Sequence, residues 1–254
     1  METIANGDKT WVYGVIPADA TLTELERRRD RIPQDVRVQK IDDLALIVGD
    51  APPPDPRATR DQALAHARVL EAAAADAPVV PFRFGTMVTS GAEASELLGP
   101  WHDRLSELLE RTRGRVQLTL KAEYLSDAVL REIMADNPEI RALREQTQGL
   151  DEMAARDLRV RLGELVSIAL EALRQRDAAA IVERLGAIAD AYTIGPLESE
   201  FMVVNAPFLV ERDRMPQFEE AAAALAEEQA QRMHMTLLGP MPAYDFIEGQ
   251  QPWA

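Results

Sequence analysis

The chain has 254 residues, 46% of them hydrophobic and 28% charged, with a formal net charge of -15 and no cysteine. That composition excludes wholesale disorder, disulfides and thiolate metal sites, and its acidity argues against a general nucleic-acid binder, which needs a basic face to release counterions. The length admits two ordinary domains, and the longest uncharged apolar run, Phe201–Val210, is far short of the roughly 20 residues that span a bilayer. With no basic-plus-apolar signal at the amino terminus, the expected location is cytoplasmic, with neither membrane nor nucleic acid as partner.

Thr10–Ile16 sets bulky and β-branched residues before Pro17 and reads as a first strand; Thr21 or Thr23 reads as the cap of a short helix through Asp30. The basic cluster Arg27, Arg28, Arg29 and Arg31 falls at that helix's carboxyl end, where cations favour the dipole. Val36–Ile41 and Leu44–Val48, separated by Asp42 and Asp43, form a hairpin-like pair. Residues 50–56 carry four prolines and must be an exposed connection. The stripe Leu64, Ala67, Val69, Leu70 and Ala74 makes 60–75 a helix, ended by Ala77 and Pro78. Val79–Val88 is strand-like, with Pro81 and Gly85 marking an edge, a bulge or a close backbone approach. A second helix spans 92–113, bent near Gly99 and Pro100, and Val116–Tyr124 alternates as a half-buried strand. The order β, α, β, β, α, β, α, β predicts an α+β first domain, residues 1–125, of ferredoxin-like character, its antiparallel or mixed sheet covered by helices on one face. Neither G-x-G-x-x-G nor G-x-x-x-x-G-K-[ST] occurs, which excludes a doubly wound nucleotide fold.

Ser126 reads as an N-cap, Pro138 as a restart before Glu139–Gln148, and Gly149 as a stop. Within 151–191 an apolar stripe from Leu158 to Leu173 and another from Ile181 to Ala189 flank a polar stretch at Gln175–Asp177, which predicts two antiparallel helices joined there. Glu200–Val210 reads as a strand whose Pro207 marks a bulge or an edge, Glu211–Arg214 as a charged turn and 215–231 as a helix. Arg232–Leu238 then returns as a buried edge or central strand, running into a turn locked by Gly239, Pro240 and Pro242, beyond which Tyr244 and Phe246 point to one side. The second domain, 126–254, is therefore a helical segment at 126–192 followed by a small α+β unit at 198–247, again of ferredoxin-like character.

Chemistry is sparse. His66, His102 and His234 offer no H-E-x-x-H or other close ligand pair, so no metal site is expected. His66 and His102 fall on helices and read as surface or half-buried structural residues. His234 in H-M-T matches half of the paired H-x-[ST] signature of two-histidine phosphoesterases, in which two imidazoles do acid and base work on a cyclic phosphate. The second motif is absent, and His234 reads as a partly buried strand residue sharing a face with Thr236 and Leu238. No G-x-S-x-G occurs, Glu219, Glu220, Glu227 and Glu228 fit a solvated helix face, and no catalytic, cofactor or metal residue is assigned. A small-ligand module of ferredoxin-like fold stays open as an alternative. Met87, Met134, Met153, Met202, Met215, Met233, Met235 and Met241 read as core or as an adaptable apolar surface, Trp11 and Trp101 as anchors of the first domain, and Trp253 as a mobile or partner-bound tail.

Four motifs carry a resemblance: Tyr13-Gly14-Val15, Val80-Pro81-Phe82-Arg83-Phe84-Gly85-Thr86, Asn205-Ala206-Pro207-Phe208-Leu209-Val210-Glu211-Arg212 and Gly239-Pro240-Met241-Pro242-Ala243-Tyr244-Asp245-Phe246. In this order and spacing, over nearly the whole chain, they resemble the gas vesicle protein F/L family. Met241 and Ala243 depart from it where the family commonly has a bulky aromatic and a second proline, which leaves F-type and L-type both open. The resemblance implies two α+β domains of ferredoxin-like character and a non-enzymatic accessory role in forming gas vesicles. It also implies association with the hydrophobic major shell protein and with other accessory proteins. Pro81, Phe82, Arg83, Phe84, Pro207, Phe208, Tyr244 and Phe246 are the candidate contact residues.

Overall fold

The computed structural model describes residues 9–51, 60–89, 91–151 and 153–247. The proline-rich stretch beyond Ala51 and the Trp253 tail lie outside the described residues. The chain divides into two compact units that alternate along it: Met1–Leu118, Leu209–Arg212 and Gly239–Ala254 make the first, Thr119–Phe208 and Asp213–Leu238 the second.

In the first unit β1 (Thr10–Pro17) is followed by α1 (Thr23–Arg27), the hairpin β2 (Arg37–Ile41) and β3 (Leu44–Asp50), α2 (Arg60–Ala74) and two short strands, β4 (Val80–Pro81) and β5 (Met87–Val88). The sheet runs β2-β3-β1-β4, with β5 also on β1, and these pairings are antiparallel. α1 is shorter than expected and neither Thr21 nor Thr23 caps it; the Glu24 N–H instead donates to Asp76 at 2.5 Å. The segment around Pro81 and Gly85 is an edge strand interrupted by a turn, bonded to β1 on both sides of the break through Phe82 N–H to Tyr13 O (2.8 Å) and Val12 N–H to Thr86 O (2.9 Å).

This sheet is covered on both faces, not one. Trp11, Tyr13, Ile16, Ala45 and Ile47 pack with Leu25 of α1 and Val69, Leu70 and Ala73 of α2. Val12, Val15, Leu44, Leu46 and Val48 pack on the other side with Leu105, Leu108 and Leu109 of α4 (His102–Thr112). The reason is legible in β1 and β3, which are buried almost throughout and read as unbroken apolar runs where a one-sided sheet would alternate. A register shift between Val12 and Gly14 resets the alternation, so that Ile16 joins Trp11 and Tyr13 on one face while Val15 joins Val12 on the other. Gly14 itself is required by close packing, since a Cβ there would sit 3.0 Å from Leu70, Val79 and the Val80 carbonyl. α3 (Gly91–Leu98) and a 3-10 turn at Gly99–Trp101 precede α4, bearing out the bend near Pro100. Trp11 is buried at 8% exposure as expected, whereas Trp101 is 41% exposed and is no part of the buried core.

β6 (Arg115–Tyr124) opens the second sheet. It is followed by α5 (Ser126–Asp136), α6 (Pro138–Thr147), α7 (Arg156–Gly186), β7 (Ala191–Tyr192), β8 (Met202–Glu211), α8 (Met215–Gln229), β9 (Met233–Met241) and the single turn α9 (Tyr244–Ile247). The sheet order is β7-β8-β6-β9. Set beside β2-β3-β1-β4, both sheets lay four successive strands in the spatial order second, third, first, fourth.

Three expectations are corrected here. α7 is one helix of 31 residues, not two joined at Gln175–Asp177; arginine and glutamine are good helix formers, and polarity without glycine or proline does not break a helix. Ser126 lies inside α5 and makes no cap bond, whereas Asn137 caps α6, its Oδ1 accepting from the N–H of Glu139 (3.0 Å) and Ile140 (3.2 Å). β9 takes the edge placement of the two expected, but it is half-buried to exposed after Met233 instead of buried, and it continues through Gly239 and Pro240 to Met241 instead of turning there. An edge tolerates the donor missing from Pro240. Gly239 has φ +121°, and any Cβ there would meet the Gln117 carbonyl at 2.7 Å.

Candidate functional site

The residues singled out from the sequence are placed mostly inside the two units. Pro81 pairs with Gly14, and Phe82 is buried against β1 and α4 neighbours. Arg83 is exposed, its carbonyl accepting from the N–H (3.1 Å) and the hydroxyl (2.7 Å) of Thr86. Phe84 is half-buried, its ring edge-on to Trp11 at 5.0 Å and to His66 at 5.6 Å. Pro207 is not on an edge, because β8 lies between β7 and β6; its carbonyl accepts from the Thr193 N–H at 3.0 Å. Phe208 is fully buried, 5.1 Å from the ring of Phe218. Tyr244 and Phe246 do not point to one side, since α9 is a helical turn that separates residues two apart. Tyr244 packs with the Trp11 and Leu70 cluster, and burial, reinforced by the charge of Glu71, pushes its phenol upward. Phe246 packs with Leu209 and Ala243, and its carbonyl accepts from the Arg111 guanidinium.

The histidines form no catalytic pair. His66 is buried, not superficial: Trp11 Nε1 donates to its Nδ1 at 3.0 Å, and burial pushes its pKa down to about 4 against the opposing backbone of Phe82. His102 stands between Asp43 (2.6 Å) and Asp103 (3.2 Å), whose hydrogen bonds raise its pKa. His234 is exposed rather than partly buried, with Thr236 Oγ1 at 3.3 Å as its neighbour on the expected shared face. Among the described residues no group of three or more His, Asp or Glu side chains could hold a metal ion, and no helix is long and apolar enough to cross a membrane.

In the second unit the stretch expected to be a turn is a buried ionic knot. Asp177, at 8% exposure, accepts from Tyr124 Oη (2.8 Å), Arg232 Nη2 (2.8 Å) and Arg176 Nε (2.9 Å). Arg232 also grips Glu132 with two bonds of 2.9 Å. Burial pushes the Asp177 carboxyl up, but the bonds from Arg176, Tyr124 and Arg232 outweigh it and the pKa is lowered.

An apolar surface open to a partner lies along α7. Ala178, Ala179 and Val182 of α7, with Tyr192, Ile194 and Leu197, border an apolar groove of about 330 Å³ over Val203 and Val204. Adjoining it through Arg174 and Leu197, a second hollow of about 640 Å³ is bordered by Ile168, Leu170 and Glu171. Ile168, Tyr192, Ile194 and Leu197 are 67%, 51%, 55% and 44% exposed. The signal for this strand edge is the run Tyr192-Thr193-Ile194, all β-formers, just before Gly195-Pro196.

Comparison with known proteins decides the family. The model of the family "Gas vesicle synthesis protein GvpL/GvpF" matches residues 9–248, almost the whole chain. The chain belongs to the GvpL/GvpF family. It is 35% identical to gas vesicle protein F of Streptomyces sp. (strain CB03234) over 94% of this chain and 99% of that protein. To gas vesicle protein F of Haloferax mediterranei it is 23% identical, over 95% and 94% of the two chains. The crystal structure of gas vesicle protein GvpF from Anabaena sp. PCC7120 superposes with a TM-score of 0.80 at 22% identity, covering 95% of this chain and 99% of that one. GvpF from Microcystis aeruginosa gives 0.74 at 19% identity, covering 94% and 99%. These GvpL/GvpF structures share the present fold, an α+β arrangement with two sheets.

Proposed function

We propose that the chain is a non-enzymatic accessory protein of gas vesicle formation, present in the cytoplasm and on the growing vesicle, that binds the hydrophobic major shell protein alongside other accessory proteins. The observation that carries this reading is the family match over residues 9–248, joined to a relative named gas vesicle protein F that is 35% identical over nearly both full lengths. We also infer a ferredoxin-like character for each sheet, supported by the strand order shared by β2-β3-β1-β4 and β7-β8-β6-β9.

The physical chemistry supports an escort role. A net charge of -15 keeps copies of this chain apart and soluble while they hold an aggregation-prone apolar subunit. Among the residues proposed from the family motifs, exposed Arg83 and half-buried Phe84 are available to a partner without rearrangement of the core. The direct test is deletion of this chain from a vesicle-forming strain together with affinity co-purification of the shell protein. Loss of vesicles and recovery of the shell protein on the tagged chain are expected; normal vesicle yield after deletion overturns the reading.

A further inference from the structure

We infer that the outer edge of residues 191–195, with the apolar groove beside it, docks an extended apolar segment of another polypeptide flanked by basic residues, adding a fifth strand to the second sheet. The backbone supplies the first argument. Thr193 N–H donates to Pro207 O at 3.0 Å and Gly195 N–H to Asn205 O at 2.7 Å, so these alternate residues face β8. By the two-residue period of an extended chain, the N–H and C=O of Tyr192 and Ile194 point the other way. β7 is the terminal strand of the sheet order, and no described residue bonds those outward groups.

The second argument is what this edge lacks. Exposed edges are ordinarily blunted by charge, by an internal proline or by a covering element. The run Ala191-Tyr192-Thr193-Ile194-Gly195 carries no charge and no proline, and the apolar groove lined by Ala178, Ala179 and Val182 of α7 lies beside it. A strand laid there would place alternate side chains against α7, as Tyr192 and Ile194 do now. Asp190 and Pro196 bound the site, which sets its length at about five residues, or roughly 17 Å of strand.

Charge selects the occupant. The rim carries Glu171 and Glu200, with Glu198 beside them; Arg174 bonds the carbonyls of Met202 (3.0 Å) and Glu200 and pairs with Glu171, and Lys121 pairs with Glu198 at 2.6 Å, so three carboxylates meet two cations and the rim stays net acidic on a chain of net charge -15. A second copy of this chain would bring an identical acidic rim to the same edge, whereas basic residues flanking an apolar strand meet it favourably. The site depends on the escort reading only for the natural source of the segment.

The test is fluorescence anisotropy with a labelled peptide of alternating valine and threonine between lysine pairs. Wild-type chain is expected to bind it. Ile194→Pro removes one outward donor while leaving the Thr193 and Gly195 bonds in place, and is expected to weaken binding about tenfold or more. Ile194→Lys, which keeps the backbone intact, is expected to weaken it as well, and a glutamate-flanked peptide should bind less tightly than the lysine-flanked one. No binding to wild type, or binding to folded Ile194→Pro and Ile194→Lys as tight as to wild type, overturns the inference. So does a wild-type dimer, seen by sedimentation, that Ile194→Lys dissolves. Shell-protein co-purification run in parallel separates the two readings: if both variants keep the shell protein and also bind the peptide as wild type does, the docking site fails and the escort role stands; if the peptide binds as expected but shell protein never co-purifies, the reverse holds.

Discussion

The two sheets share one strand order and differ in how they are finished. The first is closed on both faces by apolar contacts, with His66 held neutral among Trp11, Tyr13 and Phe84. The second unit adds to its apolar core the ionic knot of Asp177, Tyr124, Arg232 and Glu132, and it leaves apolar side chains of α7 and the β7 edge in solvent. Topology therefore does not dictate where a fold spends its apolar surface. An unbroken apolar run such as β3 is covered twice, whereas a helix like α7, with polar and apolar residues spread around it, has a face left over.

The contrast breaks most sharply in the first core. Leu70→Ala removes a fully buried side chain between α2 and β1 and is expected to cost about 2–5 kcal/mol in urea unfolding. A cost under about 1 kcal/mol would mean that the first unit is not the tightly packed half. In the second unit, Asp177→Ala leaves the Tyr124 hydroxyl and one face of Arg232 unmatched, and a loss of about 2–3 kcal/mol is expected, with part recovered by Asp177→Asn. Equal melting of all three proteins would show the knot to be dispensable.

Acid sharpens the comparison. The pKa of His66 is about 4 when folded against an ordinary 6.5, so the unfolded chain takes up the proton first as pH falls. The stabilisation is fully present above pH 6.5 and lost as pH falls through 4, on the order of 2–3 kcal/mol in all. His66→Gln should flatten the stability-versus-pH curve of the whole chain across that window, and an unchanged slope would refute the assignment. Smallest of all is Ile168→Ser on the open face of α7, where the side chain is 67% exposed; stability should move by less than about 0.5 kcal/mol. A larger loss would mean that this face is not free.

The sequence made some of this plain. Trp11-to-Ile16, Leu44-to-Val48 and the break at Pro81 and Gly85 announced their strands, because local β propensity and turn chemistry agree there with the final pairing. The GvpL/GvpF motifs were equally legible. Burial on both faces is written in the unbroken apolar runs of β1 and β3, whereas the order of elements alone points to helices on one face. The break expected at Gln175–Asp177 failed because polar residues there answer partners 44 to 55 positions away, among them Glu132 and Arg232, which no local pattern reveals. The edge at Tyr192–Ile194 is too short for periodicity to mark, and Phe82, Phe208 and Phe246 read as contact candidates although they lie in cores.

The interleaving of the units has a consequence for the order of synthesis. Three bonds within the first unit reach across most of the chain: the Arg212 guanidinium to the Ala74 carbonyl at the end of α2, Gln117 to Asp245, and Arg111 to the Phe246 carbonyl. None can form when Leu118 leaves the ribosome. At about 5–20 residues per second, the stretch to Ile247 takes on the order of ten seconds more. For most of that interval α2 waits for the cation at its carboxyl end, and Leu209, once made, waits for Phe246, so the half of the protein that is begun first is also the half that is finished last.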